Sequence, residues 1–152
     1  MIRNLGKLFL TLCLLAVGGG VVANAQIDTD NPIQANVPFA FAIGNTTLPA
    51  GKYEIRKIED NSPSVLEVRS VNGRTKVVFE TEDAQTRADQ AASKTELVFD
   101  KVGDQYFLSQ IWVAGSLVGI EMPKSRMEKR LRDGGSQPEK HSIVASLKRE
   151  KR

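Results

Sequence analysis

The chain has 152 residues, 41% of them hydrophobic and 26% charged, with a formal charge of +3, one cysteine and one histidine. A single histidine, His141, and a single cysteine, Cys13, cannot supply a zinc cluster or the side chains of a Ser-His-Asp or Cys-His mechanism. No GxGxxG or GxxxxGK pattern offers a phosphate loop, and no calcium loop surrounds Asp100 and Asp104, so no metal, cofactor or catalytic residue is assigned from the sequence.

Residues 1–25 read as a Sec-type signal peptide: Arg3 and Lys7, an apolar run over 8–22, then Ala23-Asn24-Ala25 before a cut at Gln26. The run is short for a bilayer span and is interrupted by Gly18-Gly19-Gly20, so cleavage is expected, with no transmembrane segment after it. That predicts a periplasmic or extracellular protein. Cys13 leaves with the leader, so what remains, a chain of single-domain size, must be held by a hydrophobic core without disulfides. Charge is unevenly spread, with a balance of −5 over 26–123 and +6 over 124–152: a mildly acidic body and a basic tail.

Residues 26–36 are polar, contain Asn31-Pro32 and read as a flexible lead-in. The β-rich domain is expected over 37–133. It opens on VPFAFAI at 37–43, where Val37, Phe39, Phe41 and Ile43 alternate with small residues as one strand, Pro38 marking an edge. Turns at Gly44-Asn45-Thr46-Thr47 and Leu48-Pro49-Ala50-Gly51 lead to a strand over 52–58, with Tyr53 and Ile55 on one face and Glu54 and Arg56 on the other. A polar loop over 59–63 comes next. Asn72-Gly73 then separates two alternating runs, as a two-residue type I′ hairpin requires. The register sets Val71 against Arg74, Val68 against Val77 and Leu66 against Phe79. It buries Leu66, Val68, Val77 and Phe79 and leaves Glu67, Arg69, Arg74, Lys76 and Glu80 wet. Residues 81–94 hold no large apolar side chain and read as a solvated connection.

The stretch 97–122 is organised as three strands, over 97–101, 105–113 and 117–122, with turns at Val102-Gly103-Asp104 and Ala114-Gly115-Ser116. In the middle strand strict alternation points Tyr106, Leu108 and Trp112 one way and Phe107, Ile111 and Val113 the other, as in a central strand covered on both faces. Pro123 ends the pattern. Ser125-Arg126-Met127-Glu128 is a capping box, with Ser125 accepting from the Glu128 amide and the Glu128 carboxylate reaching back. Met127 and Leu131 lie one turn apart to dock on the body, and Gly134-Gly135 ends the helix. Residues 134–152 read as a basic, mobile tail. Its apolar residues Ile143, Val144, Ala145 and Leu147 fit either a last strand or a partly ordered extension.

VPFAF at 37–41, LPAGKY at 48–53, LVFDKVGDQYFLSQIW at 97–112 and MPKSRME at 122–128 resemble the pattern of a group of small secreted proteins of the acidobacterial type, with Met122 where the pattern has leucine. The resemblance spans most of the chain after the leader and implies an exported all-β protein, but it carries no activity. Separately, LPAGKY looks like a turn of prealbumin-like sandwich domains.

Turn spacing predicts an all-β fold: a single antiparallel β-sandwich of about seven strands, or alternatively a small β-barrel, with a short C-terminal helix. The expected function is a non-enzymatic structural or interaction module of the bacterial cell envelope, its partner an unknown envelope component. One alternative is a carrier of a small apolar ligand, with a cavity lined by Phe39, Phe41 and Trp112. Another is a hydrolase whose carboxylates meet only in three dimensions. The residues singled out for ligand or partner contact are Tyr106 and Trp112 as an aromatic platform and Arg126, Lys129 and Arg130 as cations. The basic tail offers nonspecific contact with a polyanion. Without interleaved aromatics or a recognition fold, it predicts no specific nucleic-acid recognition.

Overall fold

The computed structural model describes residues 31–58, 64–82 and 90–148. The expected leader, residues 26–30 of the expected lead-in, the expected loop over 59–63, residues 83–89 of the expected connection and residues 149–152 of the expected tail lie outside them. The described strands are β1 (Ile33–Val37), β2 (Phe41–Ile43), β3 (Thr46–Leu48), β4 (Gly51–Lys57), β5 (Val65–Ser70), β6 (Lys76–Glu80), β7 (Glu96–Val102), β8 (Gln105–Trp112), β9 (Ile120–Glu121) and β10 (Glu139–Leu147), with one helix, α1 (Arg126–Asp133), before the last strand. They form one sheet in the order β3-β2-β8-β7-β10-β1-β4-β5-β6, with β9 on β8. The Glu82 amide donates to the Glu121 carbonyl at 3.0 Å, joining the chain just past β6 to β9, so the sheet curls until it is nearly closed like a barrel. The all-β class and the short helix are as expected; the sandwich of two sheets is not what forms.

Two segments expected to lie outside the domain are its centre. The lead-in boundary at 36 gives way to β1, because Ile33, Ala35 and Val37 alternate with Gln34 and Asn36 and are all buried. Pro38, with no N–H to give a ladder, then breaks the expected 37–43 strand, and β2 crosses to pair in parallel with β8. The expected mobile tail instead contributes β10. Its first part pairs with β7, from Glu139 opposite Lys101 to Val144 opposite Glu96, and its last part with β1, Ala145 opposite Ala35 and Leu147 opposite Ile33. His141, Ile143, Ala145 and Leu147 face inward at this strand's period of two.

The hairpin register is as read from the sequence, with Leu66 opposite Phe79 and Val68 opposite Val77. Its turn is longer. Ser70 and Thr75 form the last pair, the Gly73 amide donates to the Ser70 carbonyl at 2.8 Å, and Gly73 sits at φ 73°. Glu67, expected to be wet, is 2% exposed. The β7–β8 hairpin turns where expected but more tightly, since Val102 belongs to β7 opposite Gln105 and only Gly103-Asp104 forms the turn, Gly103 at φ 62°. Beyond it the ladder shifts: Phe99 pairs with Leu108 but Val98 with Gln110, leaving Ser109 as an extra residue. The bulge reverses the parity of the rest of β8. Tyr106, Leu108, Ile111 and Val113 all belong to the inner cluster, while Phe107 and Trp112 point outward.

The interior is filled by side chains from every part of the sheet, among them Ile33, Leu48, Tyr53, Leu66 and Phe99. Phe41 packs edge-on against both Tyr53 and Phe99, at centroid distances of 5.2 and 5.3 Å.

Candidate functional site

α1 lies on the outer face of the sheet. Ser125 caps it by accepting from the Glu128 amide at 3.0 Å, and Gly134 and Gly135 close its far end, Gly135 at φ 93°. Met127 and Leu131 pack on Ala42, Val102 and Phe107, as their spacing predicts. The docked face fixes the opposite one. Arg126, Lys129 and Arg130, at i, i+3 and i+4, are exposed and line a shallow depression of 580 Å³ with Asn45 from the β2–β3 turn. None of the three has an ion-pair partner among the described residues.

The structure thus brings together three of the five residues singled out and separates the other two. Tyr106 stacks on Phe39 with centroids 3.9 Å apart, with His141 edge-on at 5.3 Å and the Lys101 ammonium 5.8 Å from its ring. Trp112 is only 3% exposed and is not a surface platform. Its Nε1 donates to Gln110 Oε1 at 3.1 Å, and Gly119 lies so close that any Cβ there would sit 2.7 Å from the indole. Nor does Trp112 meet Phe39 and Phe41, since it lies in a separate cluster with Ala92 and Val98.

Two carboxylates on the α1 side converge in a way the sequence concealed. Asp100 of β7 and Glu128 of α1, 3% and 4% exposed, both bind Arg132 Nη2, at 2.5 and 2.6 Å. Lys140 of β10 reaches the other Asp100 oxygen at 2.6 Å. The Ser109 hydroxyl, aimed here by the bulge, sits 3.1 Å from the Val98 carbonyl and 3.2 Å from Asp100 Oδ1. The expected return contact from Glu128 to the helix start is replaced by this forward pairing with Arg132. These groups, with Glu121 and Lys124, line a polar recess of 280 Å³. The i,i+4 spacing of Glu128 and Arg132 is a legible signal for half of the network; Asp100 and Lys140 meet only through the β7–β10 ladder.

A second network crosses the outer face of β4 and β5. Glu67 binds Arg56 at 3.0 Å and Lys76 at 2.5 Å. Burial pushes the Glu67 carboxyl up, but Lys76 and Arg56 together outweigh it and leave it below the usual carboxylate range. Glu54 is also held low, chiefly by the hydrogen bond from Gln34, against the opposing effect of burial and with Lys148 and Arg69 adding their charge.

Chemically, these arrangements neutralise charge rather than expose it. Asp100, Glu128, Arg132 and Lys140 balance to zero, and Lys140 Nζ, 3.5 Å from Ser109 Oγ, already holds Asp100. Among the described residues no group of three His, Cys, Asp or Glu side chains is placed to hold a metal ion, and no helix is long and apolar enough to cross a membrane. Comparison with family models, characterised proteins and solved structures finds no match to this chain.

Proposed function

We propose that the chain is an exported, non-enzymatic interaction module of the bacterial cell envelope, which touches an anionic envelope component through Arg126, Lys129 and Arg130. One observation carries this reading. The buried carboxylates of the α1 side are engaged by cations of the same chain, whereas three neighbouring cations on one rigid helix face have no partner among the described residues. A docked helix holds such a face in place without further ordering cost, which favours contact with a polyanion. The leader sequence and the resemblance to small secreted proteins support the location.

A hydrolase reading draws on the convergence of Asp100 and Glu128. A hydrolytic pair needs one carboxyl free to hold a proton beside the scissile bond, and both are engaged by Arg132. A carrier reading needs space where Phe39, Phe41, Phe99 and Tyr106 already pack ring against ring.

The test is sedimentation with anionic phospholipid vesicles and with isolated envelope polysaccharide. Reversing all three charges, as Arg126→Glu, Lys129→Glu and Arg130→Glu together, should weaken binding about a hundredfold or more, at about 1 kcal/mol per cation. Binding should fall steeply with salt. Wild-type affinity in the triple variant, with its melting curve unchanged, would overturn the reading.

A further inference from the structure

We infer that β6 is a self-association edge: two copies of this chain pair their Lys76–Glu80 strands antiparallel about a two-fold axis through Val78. Among the described residues β6 has one strand neighbour, β5. The direction of its remaining backbone groups is fixed. Thr75 and Thr81 turn theirs toward β5, since the Ser70 amide donates to the Thr75 carbonyl at 2.8 Å and the Thr81 amide to the Ser64 carbonyl at 2.7 Å. By alternation Val77 and Phe79 do the same, and Lys76, Val78 and Glu80 present their N–H and C=O groups outward. The Glu82 amide, next in that series, does point away from β5, and it is taken by Glu121. Among the described residues a free antiparallel edge therefore runs from Lys76 to Glu80 and stops there.

The sequence on that edge, KVVFE, is its own complement. With Val78 opposite the copy's Val78, Lys76 falls opposite the copy's Glu80, and Glu80 opposite the copy's Lys76. In this register all three outward-facing residues form the closely spaced, hydrogen-bonded pairs of an antiparallel ladder. On the inner face Val77 meets the copy's Phe79. Both are core-packed yet only half-buried, because the sheet ends beside them. On the outer face Val78, 49% exposed, meets its own symmetry mate between two opposite-charge pairs. An edge guarded against pairing carries one sign of charge or a proline; this one carries both signs in mirrored positions. Lys76 would span Glu67 of its own chain and the copy's Glu80.

Sedimentation velocity on the purified chain across a concentration series tests this. A concentration-dependent dimer is expected. Val78→Pro removes the central outward N–H, which β5 does not use, so the monomer should keep its circular dichroism and melting curve while the dimer is lost. Glu80→Lys sets like charges opposite each other twice and should weaken dimerisation about tenfold. A chain that stays monomeric throughout the series, or a dimer that survives Glu80→Lys with the fold intact, overturns the inference. The second variant decides the matter should Val78→Pro fail to fold.

Discussion

Trp112 shows how one inserted residue redirects a side chain. Strict alternation from Tyr106 puts its ring with Leu108; the extra residue at Ser109 instead turns it to the outer face, under Gly119 and against Ala92 and Val98. A bulge leaves no mark in hydrophobic periodicity, so this reversal is not legible in the sequence. Burial of the ring still predicts a large loss: Trp112→Ala should destabilise by about 3–5 kcal/mol in denaturant melts. Glu67 makes the parallel point for charge. It stands on the solvent side of its strand, as alternation says, yet Arg56 and Lys76 cover it. Because its folded carboxyl lies below the usual range, its contribution to stability is present at neutral pH. That contribution is lost as pH falls from about the ordinary glutamate value of 4.3 through the lower folded value. Glu67→Gln should therefore cost about 1–3 kcal/mol at pH 7, and the gap from wild type should shrink in melts repeated toward pH 3.

At the scale of elements, hairpins are the most legible objects. Gly103-Asp104 and Asn72-Gly73 each mark a reversal between apolar runs; the whole β5–β6 register follows from its mark, and that of β7–β8 only as far as Phe99 opposite Leu108. The conformation of the second turn does not, because Ser70 competes for it. The Thr75 amide donates to the Ser70 hydroxyl at 2.9 Å, widening the loop while keeping its two-residue symmetry. Gly73 still carries positive φ, and a Cβ there would meet nothing within 4 Å. Gly73→Val consequently isolates backbone strain from packing, and thermal melts should show a loss of about 1–3 kcal/mol. The helix is equally legible in its cap, its docking pair and its cationic face. Asn45 is not, since it reaches that face only through the crossing of β2 onto β8.

For the molecule as a whole, what the sequence hides is the role of its weakest strands. β1 and β10 set Ala35 opposite Ala145 on the inner face and carry polar outward residues such as Gln34, Asn36, Ser142 and Ser146. A strand flanked on both sides needs little bulk when its neighbours supply it, so composition reads it as linker or tail. For a mobile tail, truncation after Gly134 would be nearly neutral. With β10 bridging β7 to β1 it should instead abolish the cooperative melt and collapse the dispersion of the amide NMR spectrum.

That placement also sets a timetable. β1 and β7 lie far apart along the chain and share no neighbour until residues 139–147 arrive between them. The ladder between the two halves of the sheet runs through β10, the last of the described strands in chain order, so it cannot close before residues 139–147 are in place. A polypeptide of this design, threaded N-terminus first through any pore, keeps that ladder open until residues 139–147 have passed, and shuts it on the far side.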